Sequence, residues 1–433
     1  MPCCRVRNVR RISLVSNSMR IIRKLTFGIV LFFLIANTSC TQNVNISVNT
    51  GDYSRENTPV YLDLKKAGLR GSAFEVYEII DTTKNKIPSQ LDVTPEGSGL
   101  CWILSGKTPA NVTRNYVVSS SSSFGKVDAA LQVTDQNGGL TIIRDKNPVL
   151  QYVYKTVYPP QGIDTAYRRS GFIHPVWSPA GDTLTNIQPV DHYHHYGIWN
   201  PWTLVEYDGK EYDLWNIGDK KGTVRFEKLL DKQEGQVFAG FKVLQGHYIF
   251  NNNQAKEIME ETCNIRVWNY AGSYAFLWDF ESILHPNTDL PVLLKAYRYA
   301  GFSIRATADW TKENCIMFTS EGKERQQIDG SKARWIYLTG TCPKGKAGIM
   351  FMSHPDNYNH PEPLRIWDEN ANYGRGDAFI NFAPTKDKDW LLESGKNYKL
   401  KYRVFTYDGE ISPEKAEQLW IDFAYPLKIN ILK

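Results

Sequence analysis

From Val44 to the last residue, apolar positions come in short runs rich in Val, Ile, Tyr, Phe and Trp. The runs are broken by turn dipeptides at Asn137-Gly138, Asp208-Gly209, Asp329-Gly330 and Asp408-Gly409. Such punctuation predicts antiparallel strands joined by tight turns, because Gly, Asn and Asp tolerate the positive φ those turns need. Lys401-Tyr402-Arg403-Val404-Phe405-Thr406-Tyr407 and Ala347-Gly348-Ile349-Met350-Phe351-Met352 are two of the predicted strands. One segment predicts a helix instead: Ser412 suits an N-cap, Pro413 the first turn, and Ala416, Leu419, Trp420 and Phe423 recur at helical spacing. The expected fold class is all-β, with few helices. A small N-terminal β-sandwich over residues 41–125 would precede a large antiparallel β-sandwich over 126–433. The boundary is drawn at Ser119 to Ser123, a serine run that suits either a flexible connection or an exposed loop within one domain. No repeat of about 20 to 50 residues is visible, which argues against a propeller or solenoid.

The N-terminal segment changes this picture of a purely β chain. After Met19 come Arg20, Arg23 and Lys24, then a mostly apolar run from Leu25 to Ala36, then Asn37-Thr38-Ser39-Cys40. Basic, apolar and small residues in that order predict a secretory signal over residues 1–40, with translation starting at Met19. The apolar run is shorter than the roughly 20 residues that span a bilayer. Small residues before Cys40 resemble a lipobox, so Cys40 is the expected lipidated first residue of a periplasmic or cell-surface lipoprotein, with the lipid as its membrane anchor; Asn37, where an aliphatic residue is usual, leaves ordinary cleavage without a lipid as the alternative. Seven basic residues and no acidic one precede Cys40, so the balance of 51 Lys and Arg against 46 Asp and Glu becomes 44 against 46. A near-neutral mature chain gives no electrostatic reason to expect nucleic acid as a partner. Beyond Cys40, Cys101, Cys263, Cys315 and Cys342 show no CxxC and no regular spacing, which excludes a disulfide scaffold and a zinc finger while allowing one or two bridges.

The chemistry concentrates in one place. Three of the eight histidines fall in Asp191-His192-Tyr193-His194-His195-Tyr196-Gly197-Ile198-Trp199. If that segment is extended, His192 and His194 share one face while Asp191 and His195 take the other, and a turn at His195 could bring the third imidazole around. Imidazoles so placed suit either general acid-base work, their proton affinity lying near neutrality, or a divalent metal held by His192 and His194. A metal is allowed there and not required. Ordinary buried histidines bonded to neighbouring tyrosines are the alternative. Upstream, Arg168, Arg169 and His174 sit close together in sequence, and a guanidinium is suited to bind an acidic group. Trp278-Asp279-Phe280-Glu281, the stretch from Tyr297 to Arg305, and Ser353-His354-Pro355-Asp356-Asn357 interleave aromatic and polar residues, a pattern suited to sugar rings and equally to sandwich cores. The expected catalytic residues are His174, His192, His194 and His195. Arg169, Asp191, Trp199, His354 and Asn357 are the expected substrate contacts. No phosphate loop, dinucleotide fingerprint, HExxH or serine elbow occurs, which removes nucleotide-dependent and common serine-hydrolase readings.

Phe172-Ile173-His174-Pro175-Val176, the turn at Pro179-Ala180-Gly181, the histidine motif, His354-Pro355-x-Asn357 and the Arg403-Val404-Phe405 strand resemble the PmoA-labelled family, a domain of unknown function, from about Leu140 to the C-terminus. A membrane methane oxygenase, which that label names, needs several spanning helices, and the sequence after Cys40 offers none. The resemblance implies a β-sandwich related to the galactose-mutarotase-like supersandwich. It further implies a role near glycan degradation, with Val44 to Ser123 as the small β-domain that precedes some polysaccharide lyase domains. The expectation is an exported enzyme that cleaves or isomerises a glycan, by hydrolysis, elimination or epimerisation. The alternative is a non-catalytic glycan-binding surface lipoprotein.

Overall fold

The computed structural model describes residues 42–94, 97–121, 129–252 and 254–432. Residues 1–40, over which a secretory signal is expected, and Ser122 and Ser123 of the serine run lie outside these residues. Five antiparallel sheets and a single long helix, Pro413–Ala424, make up the described chain, as the pattern of short apolar runs predicts.

Two large sheets carry most of the mass. One has eight strands running from Gly222–Gln233 through Phe238–Asn251, Gln254–Trp268, Ala275–His285, Tyr398–Asp408, Gly345–Ser353 and Trp335–Cys342 to Cys315–Thr319. The other has nine, with Ser303–Arg305, Ile198–Trp199, Phe172–Val176 and Asn147–Val153 near its centre. Alternation decides which face is buried: along Gln254–Trp268, Glu261, Cys263, Ile265 and Val267 point inward while Thr262, Asn264 and Arg266 do not. Ile265, Val267, Trp278 and Val404 of the eight-stranded sheet meet Ile173, Ile198, Ile304 and Ile380 of the nine-stranded sheet in one continuous core. Burying a side chain of this size contributes about 1.5–3 kcal/mol, so this interface dominates the stability of the sandwich.

Asn137-Gly138 and Asp208-Gly209 close hairpins with positive φ at both positions, as expected. Asp408-Gly409 and Asp329-Gly330 do not. The first ends the strand Tyr398–Asp408 and leads toward the helix, and the second links the short helix Arg325–Ile328 to the strand Lys332–Ala333. The helix Pro413–Ala424 starts as predicted, with Ser412 Oγ accepting from Lys415 N and Pro413 in the first turn. Its Ala416, Leu419 and Trp420 pack on Trp335, Met350 and Phe405 of the eight-stranded sheet, while Asp422 pairs with Arg55 at 3.3 Å. Residues 43–120 supply a three-stranded sheet and four strands of a five-stranded sheet around their own core, and the last strand, Lys428–Leu432, completes the latter by pairing with Asn43–Asn49. Cys101, Cys263, Cys315 and Cys342 are all buried free thiols, so none of the bridges the cysteine count allowed is formed among them. No helix among the described residues is long and apolar enough to cross a membrane.

Candidate functional site

The histidine motif is not a strand. It is regular only at Ile198–Trp199, where Ile198 pairs with both Ile173 and Ile304. Upstream, Gln188 N donates to His195 O and Gly197 N to Asn186 O, each at 2.8 Å, so the chain from 188 to 195 is a loop closed at its base. Two turns shape it: His192 N donates to Pro189 O and His195 N to His192 O. Gly197 holds the base, with φ +54 and Ile173 O only 2.2 Å from where a Cβ would stand, so any other residue would clash. Proline and the two turns override the alternation expected of an extended segment. The result brings all three rings together: His192 lies 5.3 Å from His194 and 4.8 Å from His195, and His194 lies 4.8 Å from His195.

These rings form part of the wall of a pocket of about 520 Å³, within the range typical for small-molecule sites. Trp215, Tyr299, Trp367 and Phe379 supply aromatic surface, and Asn216, Arg298, Arg365, Asp368, Asn370 and Asn372 supply polar groups. Arg298 lies over the rings of Tyr297 and Tyr299 and forms no ion pair among the described residues, whereas Arg365 donates to Asp329 at 2.8 Å.

Asp191 is the anchor of the loop. Arg305, on the strand Ser303–Arg305 and 2% exposed, donates both Nη groups to Asp191 in a fork of 3.0 and 3.1 Å, and Nη2 also reaches Asp377 at 2.6 Å. Asp377 is held in turn by Arg375 and Asn372, and the Arg305 guanidinium stacks 4.5 Å from the Trp367 ring. Burial alone would push the Asp191 carboxyl up, but the hydrogen bond from His192 and the Arg305 charge hold it down at about 2. Asp191 is therefore ionised at neutral pH and accepts from His192 Nδ1 at 2.9 Å. A neutral His192 donating through Nδ1 has its lone pair on Nε2.

The three imidazoles are not equivalent. Burial, with the Arg169 charge nearby, depresses His194 to about 3. His195 is 3% exposed, stacked between His192 and Phe379 and backed by Trp199, and burial drives its proton affinity well down. Both are neutral at neutral pH, so neither has a proton to give as imidazolium. His192, with its side chain 39% exposed and a carboxylate on Nδ1, is the member placed for proton transfer. Among the described residues no group of three or more His, Cys, Asp or Glu is placed to hold a metal ion, and the Nδ1 of His192 is engaged by Asp191.

The other expected site residues go elsewhere. His174 makes no ring contact with the cluster and does not line the pocket. Its Nδ1 is 2.8 Å from Thr185 Oγ1, and burial lowers it to about 4. Trp199 is buried behind His195, and Arg169 lines a different pocket. His354 packs on Phe423, and Asn357 is consumed internally, donating to Glu362 and Lys401 O and accepting from Lys401 N. Trp278 is a core residue, and Asp279 pairs with Arg403. Sequence reasoning missed Asp377, Trp367, Trp215 and Arg365, which no local motif marks. Arg298, Tyr299 and Arg305 belong to the aromatic and charged stretch from Tyr297 to Arg305, which did carry a signal.

A family model described as a family of unknown function, DUF6807, matches residues 139–421. The match starts within a residue of Leu140, where the resemblance to the PmoA-labelled family begins, and carries the description of unknown function in place of that label. No curated protein matches the sequence. Among solved structures, an alpha-mannosidase from Enterococcus faecalis V583 is similar at 9% identity and TM-score 0.45, covering 90% of this chain and 46% of its own. This chain thus spans under half of that protein's length. A galactose mutarotase related enzyme from Lactobacillus acidophilus is similar at 10% identity and TM-score 0.31, over 64% of this chain and 97% of its own. A polysaccharide lyase is similar at 12% identity and TM-score 0.26, over 65% and 33%. The likenesses are distant and carry nothing about the chemistry of the site.

Proposed function

The chain belongs to the DUF6807 family, whose function is unknown, and we propose that it is an exported carbohydrate-active enzyme, anchored through Cys40, that works on an acidic sugar by proton transfer at His192. The observation that carries this reading is the carboxylate-oriented His192 on the wall of an aromatic pocket that also holds Arg298 and Arg365. Aromatic faces take the C–H side of a sugar ring, and guanidinium groups take a carboxylate in a fork. Asp191 holds the imidazole orientation and Nε2 as acceptor, a general base with its second nitrogen fixed. Two-carboxylate glycoside hydrolysis needs a pair of acids across the scissile bond. Among the described residues Asp368 is the single carboxylate lining this pocket, while Asp191 is committed to Arg305. The residues therefore favour abstraction of a proton next to a carboxylate, as in elimination or epimerisation, over hydrolysis.

The test is a panel of uronate-containing and neutral glycans incubated with wild type and with a His192→Ala/His194→Ala double variant. Reducing ends, ultraviolet absorbance of unsaturated uronates, and binding are followed together. The reading expects turnover of a uronate substrate by wild type and its loss in the folded double variant, with binding retained. Unchanged turnover in that variant removes His192 from the chemistry. Binding without turnover in wild type leaves a glycan-binding lipoprotein.

A further inference from the structure

A second pocket, of about 260 Å³, is lined by Ile217 of the short turn Ile217–Asp219, which directly follows Trp215 and Asn216 of the histidine pocket in the chain. Its lining includes Arg168, Arg169, Lys220 and Arg225, the hydroxyl residues Thr156, Thr165, Ser170 and Thr223, and one acid, Asp164. Four cations against one carboxylate is a strong local excess, and that carboxylate is already paired with Lys220 at 2.7 Å. Arg225 lies over the rings of Tyr248 and Phe250 and forms no ion pair among the described residues. Arg168 is exposed and donates to Thr165 O.

Arg169 is the residue that turns a basic surface into a site. It is 2% exposed, and its Nε and Nη1 are cut off from solvent without a hydrogen-bond partner. A buried guanidinium with unfilled donors is costly, and native proteins satisfy such groups with a partner, a water or an ion. Glu261 and the hydroxyls of Tyr196 and Tyr152 offset its charge from a distance, yet burial still pulls its proton affinity down to about 10. Glu261 accepts from His247, Asn200 and Ser282 and makes no hydrogen bond to Arg169 Nε or Nη1.

We infer that this pocket binds an oxyanion, a sulfate, phosphate or carboxylate group, held by the lining guanidinium groups of Arg169, Arg168 and Arg225. Planar guanidinium forks match the oxygen spacing of all three groups. The anion is either free in solution or an acidic substituent on a glycan. The inference does not rest on the chemistry at His192, and loss of either leaves the other standing.

The experiment is calorimetric titration of the full chain with inorganic sulfate, inorganic phosphate and an oligoglucuronate, at ionic strength matched by sodium chloride. The same titrations are run on Arg225→Gln and Arg168→Gln, both replacements at partly or fully exposed positions that leave the buried Arg169 in place. Saturable binding of at least one probe above the chloride control is expected, weakened about tenfold in each variant, the loss of one charge-assisted hydrogen bond. Binding of sulfate or phosphate identifies a free-anion site, and binding of the oligoglucuronate alone identifies a glycan substituent. No saturable binding of any probe, or binding by Arg225→Gln equal to wild type, overturns the inference.

Discussion

The loop of residues 188–195 and the loop of residues 354–362 have similar ingredients, histidines and acids among aromatics, and the fold treats them in opposite ways. In the second, Glu362 is fully buried and accepts from Ser353 Oγ at 2.5 Å and from Asn357 Nδ2 and Tyr402 Oη at 2.9 Å. His360 reaches Ser353 Oγ, and Asn357 ties the loop to the strand Tyr398–Asp408 through Lys401. The polar groups there largely satisfy one another and hold the chain in place. In the first loop, Asp191 is locked by Arg305 while His192 keeps one nitrogen for an outside partner, and the rings open on a pocket. A polar cluster is a site when its hydrogen-bonding capacity is left over, and a fastening when it is used up.

The comparison breaks most visibly at Arg305. Arg305→Met takes the buried guanidinium from Asp191 and Asp377, leaving the first only His192 and the second only Arg375 and Asn372, and is expected to cost about 3–5 kcal/mol in urea unfolding. A loss under about 1 kcal/mol would mean that the network does not hold the loop. Asn357→Ala removes a donor from Glu362 and leaves Lys401 N without its acceptor. It is expected to cost about 1–3 kcal/mol while leaving ligand binding at the histidine pocket unchanged. A change in that binding would join the two loops into one site.

Acid and base should pull the two loops apart. His194 sits at about 3 in the folded protein against about 6.5 unfolded. Between those values the unfolded chain binds the extra proton, so stability is full above pH 6.5 and falls as pH drops. Burial raises Glu362 to about 7 although Ser353, Asn357 and Tyr402 oppose it. The folded chain there binds the extra proton above the unfolded pKa, so that contribution is full at low pH and lost as pH rises through 7. Urea melts of His194→Gln should flatten the fall between pH 7.5 and 5.5 by about 1 kcal/mol. Glu362→Gln should flatten the opposite slope. The same sign in both variants would contradict the assignments.

The β class, the terminal helix and the proximity of the three histidines at 192–195 were legible because each is local. Strand periodicity, a Ser-Pro cap and a histidine cluster all lie within a few residues of one another. The loop's real shape was not, because Pro189 and two turns decide it against the alternation an extended strand would impose. Asp377 and Trp367 were illegible for a different reason: strand pairing brings them to Arg305 from more than sixty residues away. Arg169 was expected as a substrate contact beside the histidines, and the fold places it in the lining of a different pocket.

The smallest stability effect belongs to the residue on which the account turns. His192→Ala removes a partly exposed ring and leaves Asp191 paired with Arg305, so unfolding free energy should change by under about 1 kcal/mol. The direct measurement is kcat and KM of His192→Ala beside His360→Ala on the acidic glycan that wild type turns over. A fall of about 10²–10⁴ in kcat for His192→Ala, with KM little changed and His360→Ala near wild type, is the result predicted. A kcat for His192→Ala equal to wild type would contradict it.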